Sequence, residues 1–393
     1  MKPLWGSLLE CQRKALAYIQ ESAAREKPRA RYVIKPILER AGLIESLYDA
    51  AVECVHGHAR VGLHFHPERL SRAGRSVAES LLESGVYRNQ FESGLSSGSP
   101  TAFPGGERDL WESRLFGGAY HRADALPSSR PKYGALEVMY HPDGPAPRFG
   151  SCYFLLRPEV SKRSTYTFGG SHEPDAPERT GTLDLLDPVL APLLAQLEQG
   201  LGAFGVIHLT VAGFLDQLTS GFSQPIRNPE GRPLGRALDS FIEVQVHGEI
   251  RLNEDAERCV ADPAFRDDPV GDILSAISAK YGIPLFWHPG FTLAVDEVPE
   301  VFRGFPIRAL AERIAGRGIL DAAKIGAVAN TVELKPDAWE GWAPHEVILA
   351  QFRRLWHLLV LKGEPNRVGG GISPPRLPNH RTCGSASGGS WQS

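Results

Sequence analysis

Cysteine is scarce in this chain. Cys11, Cys54, Cys152, Cys259 and Cys383 are widely spaced, odd in number and form no CxxC pair. That pattern excludes a disulfide framework and a thiolate zinc site. A strong charge bias is missing too: a net charge of −3 gives no global pull toward nucleic acid or anionic lipid. No run of about 18 apolar residues occurs, so no membrane-spanning helix is expected. The opening residues Met1-Lys2-Pro3-Leu4-Trp5-Gly6 lead directly into a helical pattern carrying Glu10, Arg13 and Lys14. No apolar signal-peptide core forms there, so the expected location is the cytoplasm, or outside the cell by a route that reads no signal peptide. Two motifs are also absent: the GxxxxGK[ST] phosphate loop and a strand-linked GxGxxG. P-loop and Rossmann chemistry therefore have no footing.

What is present begins with helices. Residues 5–24 carry Leu8, Leu9, Cys11, Ala15, Leu16 and Ile19 near a 3.6 period, and residues 34–54 repeat the signal through Ile34, Ile37, Leu38, Leu43, Leu47 and Ala51. They predict an N-terminal helical segment over 1–57, either a cap on the main domain or a helical pair that binds a partner. From residue 59 the texture changes to strand-like runs at 61–66, 134–140, 150–157, 164–168, 204–212, 241–247 and 284–287, separated by glycine-rich loops. Helices are expected over 69–83, 188–198, 270–280, 306–315 and 344–361. Strands outnumber regular βα alternation, which predicts an α+β domain over 58–365 with a split or mixed sheet. The segment 366–393 is rich in Gly, Ser and Pro and is expected to be a disordered tail.

Two of the strand-like runs carry polar groups on one face. In Val61-Gly62-Leu63-His64-Phe65-His66, alternation puts His64 and His66 on one side and Leu63 and Phe65 on the other. In Phe241-Ile242-Glu243-Val244-Gln245-Val246-His247 it groups Glu243, Gln245 and His247. Buried polar groups are costly unless satisfied, so two such strands suggest a lined cleft.

Each motif has a chemical and a plain reading. The HxH of His64 and His66 has the spacing to hold one divalent metal, with His208, His247 and His288 near other strands as further ligands. The plain reading has one histidine in a cleft and the other bonded to backbone. Ile207-His208-Leu209-Thr210 has the HxT form of two-histidine phosphoesterases, which need two copies. Glu243 with Gln245 can grip a sugar hydroxyl, or can belong to an ordinary half-buried strand. The run from Arg148 through Ser151, Arg163 and Ser164 to Gly169-Gly170 sets guanidinium and hydroxyl groups beside glycines, which suits phosphate or ribose, or makes a hairpin with a polar tip. The long connection Tyr87–Gly94 and Phe103–His121 mixes aromatics, glycines and charges, as functional loops do. Its Glu92, Glu107, Asp109 and Glu112 can serve as base or ligand, or as surface ion pairs, the expectation for at least two.

These segments also carry a resemblance. The series LHFHPER, YRNQFESG, FPGGERDLWE, LFGGAYH, RPKYGAL, RFGSCYFLLRPEV and FIEVQVHGEI resembles a bacterial family catalogued as a domain of unknown function (domain of unknown function 3626), over roughly residues 60–315. That family brings no activity with it. The segment FGSCYFLLRPEVSKRSTYTFGGS is more weakly similar to strand pairs of toxin and phage-associated ADP-ribosyltransferase-like domains, with Gly169-Gly170-Ser171 where those carry Gly-Asp-Ser. Such transferases place a His or Arg on an early strand, a Ser, Thr or Tyr on a middle strand, and a Glu on a late strand, often as ExE or QxE. The resemblance implies His64 or His66, then Tyr133 or Ser151, then Glu243 with Gln245, an ExQ order.

It also implies a fold of ADP-ribosyltransferase-like type, NAD as substrate, and a small-molecule nucleotide plus a protein acceptor as partners. Glu243, Gln245 and His64 would be catalytic. His66, Tyr133, Arg148, Ser151, Arg163 and Ser164 would bind NAD, with Arg148 or Arg163 on the diphosphate. The alternatives are a metal-dependent hydrolase built on His64, His66, His208 and His288, and a protein-interaction module without catalysis. A toxin or effector role is compatible with the first reading.

Overall fold

The computed structural model describes residues 6–366, apart from 72–73, 96–100, 223, 225–228 and 230–231. The expected disordered tail falls almost wholly outside the described residues. The fold is α+β, built on one mixed eight-stranded sheet of order β5-β4-β6-β2-β1-β3-β7-β8. The strands are β1 (Val61–Phe65), β2 (Lys132–Leu136), β3 (Cys152–Leu156), β4 (Ser164–Phe168), β5 (Thr180–Thr182), β6 (Ile242–Val246), β7 (Ala256–Ala261) and β8 (Leu285–Trp287). All neighbours are antiparallel except β7 and β8. The helices used below are α1 (Glu10–Arg40), α2 (Glu45–His58), α3 (Val77–Ser84), α4 (Gln90–Ser93), α5 (Glu107–Leu115), α6 (Pro158–Ser161), α7 (Asp187–Glu198), α8 (Val211–Asp216), α9 (Leu252–Asp255), α10 (Pro269–Tyr281), α11 (Arg308–Ala315), α12 (Ala322–Leu334) and α13 (His345–Lys362). Among the described residues no helix is long and apolar enough to cross a membrane.

The register divides the sheet into two faces. Leu63, Phe65, Leu136, Phe154, Val244, Val246, Tyr166 and Phe168 lie on one face, inside the main core with residues of α2, α7, α8, α10, α12 and α13. The opposite face is polar at its centre. Thr165 and Thr167 of β4 stand beside Gln245 and Glu243 of β6, which stand beside Tyr133 and Ala135 of β2. His64 of β1 follows on the same face, opposite Tyr153 of β3. At one end this face is closed by a second core of Cys11, Ala15 and Ile19 from α1 against Leu115, Phe116, Ala119 and Tyr120. At the other end it is closed by Tyr153, Leu155, Val260 and Phe286.

Several expectations are corrected. The helical signals at 5–24 and 34–54 become a single α1 that runs through Pro28 and Pro36, and a separate α2. Each internal proline removes a backbone donor; burial of Ala30, Ile34, Ile37 and Leu38 in the main core offsets that loss. The expected strand at 204–212 is a turn leading into α8, capped by the Thr210 hydroxyl on the Gly213 N–H at 3.0 Å. Of the helix expected over 69–83 only Val77–Ser84 forms, because Ser76 and Glu79 make a capping box that starts it late. The strands β5 and β7 and the helix α12 had no counterpart in the expected elements.

The connection from β2 to β3 lies tightly on β1. A Cβ on Gly62 would stand 2.5 Å from Pro145, and one on Gly150 would stand 2.4 Å from the Phe65 backbone. Both positions therefore need glycine for close approach rather than for a turn.

Candidate active site

A cavity of about 820 Å³ lies over the polar face, within the usual size of a ligand site. Gly62, His64, Tyr133, Ala135 and Glu243 line it from the sheet. Residues of α3, α4, the start of α5 and the segment 125–131 line it from the sides, with Ala146 and Phe149 from the β2–β3 connection.

Glu243 is half-buried, and among the described residues no cation pairs with it. Its Oε1 accepts from Gln245 Nε2 at 2.9 Å. The second Nε2 hydrogen goes to Thr167 Oγ1 at 3.2 Å, and Gln245 Oε1 accepts from Thr165 Oγ1 at 2.7 Å. Thr165 has then spent its hydrogen, so the 3.2 Å contact with His247 Nε2 requires an Nε2–H donor. Burial pushes the His247 pKa down to about 3, so the ring is neutral and Nδ1 accepts from the Tyr120 hydroxyl at 2.6 Å. The bonds therefore all point one way: Tyr120, His247, Thr165, Gln245, Glu243. A side branch from Gln245 runs through Thr167 to Thr180 Oγ1 at 2.8 Å and on to the Ala176 carbonyl at 2.7 Å. Every buried donor and acceptor is used, so the array fixes the rotamer of Glu243. Thr165→Val removes one acceptor and one donor from this array. It should cost about 1–3 kcal/mol, seen as a lowered urea midpoint; an unchanged midpoint would contradict the array.

Beside it stands a buried ion cluster. Glu112 is fully buried and accepts from Arg130 Nη1 at 2.8 Å and from the Tyr133 hydroxyl at 2.8 Å. Arg130 Nη2 reaches Asp109 Oδ1 at 2.5 Å, and His121 Nε2 is 2.9 Å from the same oxygen. Burial raises the Glu112 pKa while Arg130 opposes it. Of the four acids expected as base, ligand or surface pair, Asp109 and Glu112 are paired but buried. Glu92 accepts the Asn89 backbone N–H in a capping box, and Glu107 is exposed.

The cavity is cationic. Arg69, Arg75, Arg88, Arg108, Arg130 and Lys132 line it, against Glu92 and Glu243. Arg108 lies with its guanidinium 4.6 Å from the Trp111 ring centre and 4.5 Å from that of Tyr133.

The structure brings together Glu243, Tyr133, His64 and His66 at one cavity and disperses the other expected site residues. Gln245 lies behind Glu243 and is fully buried. Arg148 is bound to the Leu238 carbonyl at 2.9 Å and Asp239 at 2.7 Å and does not line the cavity. Arg163 holds the Glu249 carbonyl at 2.9 Å and Asp255 at 3.1 Å, at the far end of β6. Ser164 belongs to the opposite face, opposite Val246, with its hydroxyl on the Val160 carbonyl at 2.9 Å. Ser151 is buried and does not line the cavity; its carbonyl accepts from His288 Nε2 at 3.1 Å.

The four histidines of the metal alternative do not assemble. His64 donates from Nδ1 to the Gly150 carbonyl at 3.2 Å and accepts the Ala146 N–H on Nε2 at 3.1 Å, and burial lowers its pKa to about 3. Both ring nitrogens are committed to pinning the β2–β3 connection, which leaves His64 no lone pair for a metal or a substrate. His288 is committed likewise, through Ser151 and the Gly290 N–H at 2.9 Å. His66 packs edge-on against Trp356 at 5.1 Å, and His208 sits exposed in a turn. Among the described residues no three His, Cys, Asp or Glu side chains are placed to hold a metal.

Arg108 and Arg130 were not singled out by residue chemistry, although both lie in or beside the long connection expected to be functional. The signal was there for Arg108: an arginine and a tryptophan three residues apart at the start of a helix meet on one face.

No curated protein matches the chain. The family model described as "Protein of unknown function (DUF3626)" matches residues 60–361, from the residue before β1 into α13, and the chain belongs to that family.

Proposed function

We propose that this protein binds NAD in the cavity and cleaves its nicotinamide–ribose bond, passing ADP-ribose to water or to an acceptor. The observation that carries the reading is the row of side chains across β1, β2 and β6. His64, Tyr133 and Glu243 share one sheet face and one cavity, in the strand order that the resemblance to ADP-ribosyltransferase-like domains implies. The cationic lining suits a diphosphate, and the volume accommodates a ligand of that size.

Glu243 does the electrostatic work in this reading. As the bond between nicotinamide nitrogen and ribose C1′ breaks, the electron pair leaves with nicotinamide and the ribose becomes an oxocarbenium-like cation. A carboxylate whose Oε1 is held by Gln245 keeps its second oxygen for that charge or for a ribose hydroxyl. The nucleophile then bonds to C1′ and sheds its proton. His64 has a positioning role here: it holds the β2–β3 connection that carries Ala146 and Phe149 into the cavity wall.

Glu243→Gln is the test. NAD turnover, read as released nicotinamide, should fall about 10²–10³-fold with the melting temperature unchanged. Full turnover in the variant, or none in the parent protein with any acceptor or water, overturns the reading.

A further inference from the structure

Arg108 is 8% exposed, and its Nε is buried without a partner. Among the described residues it makes no hydrogen bond and no ion pair; its contacts are the faces of Trp111 and Tyr133. Its neighbour Arg130 is the informative contrast. Equally buried, Arg130 is held by two carboxylates, Asp109 and Glu112. Those bonds, with that from Tyr133, engage both oxygens of Glu112, so this acid one turn along α5 acts on Arg108 through space without bonding it. A guanidinium taken out of water without an anion is costly. Ring faces offset part of that cost and leave the in-plane N–H donors free. Arg108 also lines the cavity.

We propose that Arg108, clamped between Trp111 and Tyr133, is a phosphoanion subsite that takes the phosphate or diphosphate of a nucleotide. The fork of N–H groups matches two phosphate oxygens at once. The two ring contacts restrain the side chain, so less of its entropy remains to be lost on binding. The dinucleotide form of the ligand rests on the NAD reading; the anion does not. It also replaces Arg148 and Arg163, which the structure places elsewhere, as the diphosphate partner.

The test is calorimetric titration of the full-length protein with inorganic pyrophosphate, ADP-ribose and adenosine. Pyrophosphate and ADP-ribose should bind, and Arg108→Gln should weaken both at least tenfold while changing adenosine little. Equal affinity in the variant, or no pyrophosphate or ADP-ribose binding by the parent, overturns the subsite. Should Arg108→Gln fail to fold, tryptophan emission decides. The pyrophosphate-induced change must vanish in Trp111→Phe, and its persistence places the anion elsewhere. Pyrophosphate binding through Arg108 without NAD cleavage would keep the subsite and discard the NAD reading.

Discussion

Glu112→Ala is expected to destabilise the protein by about 3–5 kcal/mol, a fall in melting temperature of roughly 5 °C for a chain of this length. The expectation follows from what the variant leaves behind. Arg130 keeps Asp109 but loses its fully buried partner, and the Tyr133 hydroxyl loses its acceptor. Both groups border the cavity, but the side of each that faced Glu112 is left against a fully buried site. Glu112→Gln separates the two losses: it keeps an acceptor for Tyr133 and removes only the charge facing Arg130, so it should cost less. Thermal denaturation of the three proteins reads both effects. Equal melting of the alanine variant and the parent would mean that Arg130 finds a replacement partner, contrary to the geometry.

The second large effect is a loss of stability as pH rises from acid through neutral. Glu137 follows β2, is 2% exposed, and accepts the Tyr140 N–H at 2.7 Å. Burial pushes its pKa up to about 8, with Asp143 adding to the rise and Arg232 and two backbone bonds opposing it. The folded protein therefore holds a proton that the unfolded chain has released. Between the ordinary carboxyl value of 4.5 and about 8 the folded state binds more protons, so stability falls as pH rises through that window and levels above it. At pH 9 the accumulated cost is on the order of 5 kcal/mol. Glu137→Gln, which mimics the protonated side chain, should remove that slope. Urea midpoints at several pH values from 5 to 9 should show the variant gaining on the parent by about 1.4 kcal/mol per pH unit up to about pH 8. Parallel profiles would mean that Glu137 is ionised in the fold.

Period-two alternation made most of the sheet legible. The runs 61–66, 164–168 and 241–247 sit on β1, β4 and β6, and the shared face of Glu243 and Gln245 is a direct result of side chains alternating along a strand. Strands that lack such a run escaped. The three residues Thr180–Thr182 become β5 because β4 is there to pair with them, and nothing local marks them. The stretch 204–212 fails the other way, since its apolar residues are those of a turn and the first turn of a helix, packed in the same core. Site placement was least legible where burial decides it. Arg148 and Arg163 have the same chemistry as Arg108 and Arg130. Which arginine meets an acid and which meets a cavity depends on contacts between residues far apart in the chain. His64 shows the same limit: its place on a cavity-facing strand could be read, but its commitment to Gly150 and Ala146 depends on how a distant connection folds back.

The family match opens at residue 60, yet kinship and mechanical self-sufficiency end at different places. Cys11, Ala15 and Ile19 of α1 are the apolar covering of Phe116 and Tyr120, and Gln12 fastens the Ser129 carbonyl at 2.9 Å. A protein trimmed to its shared portion would bare that flank to water. Tyr120 would then drift from His247, and the chain of donors that steers Glu243 would start from a loose end.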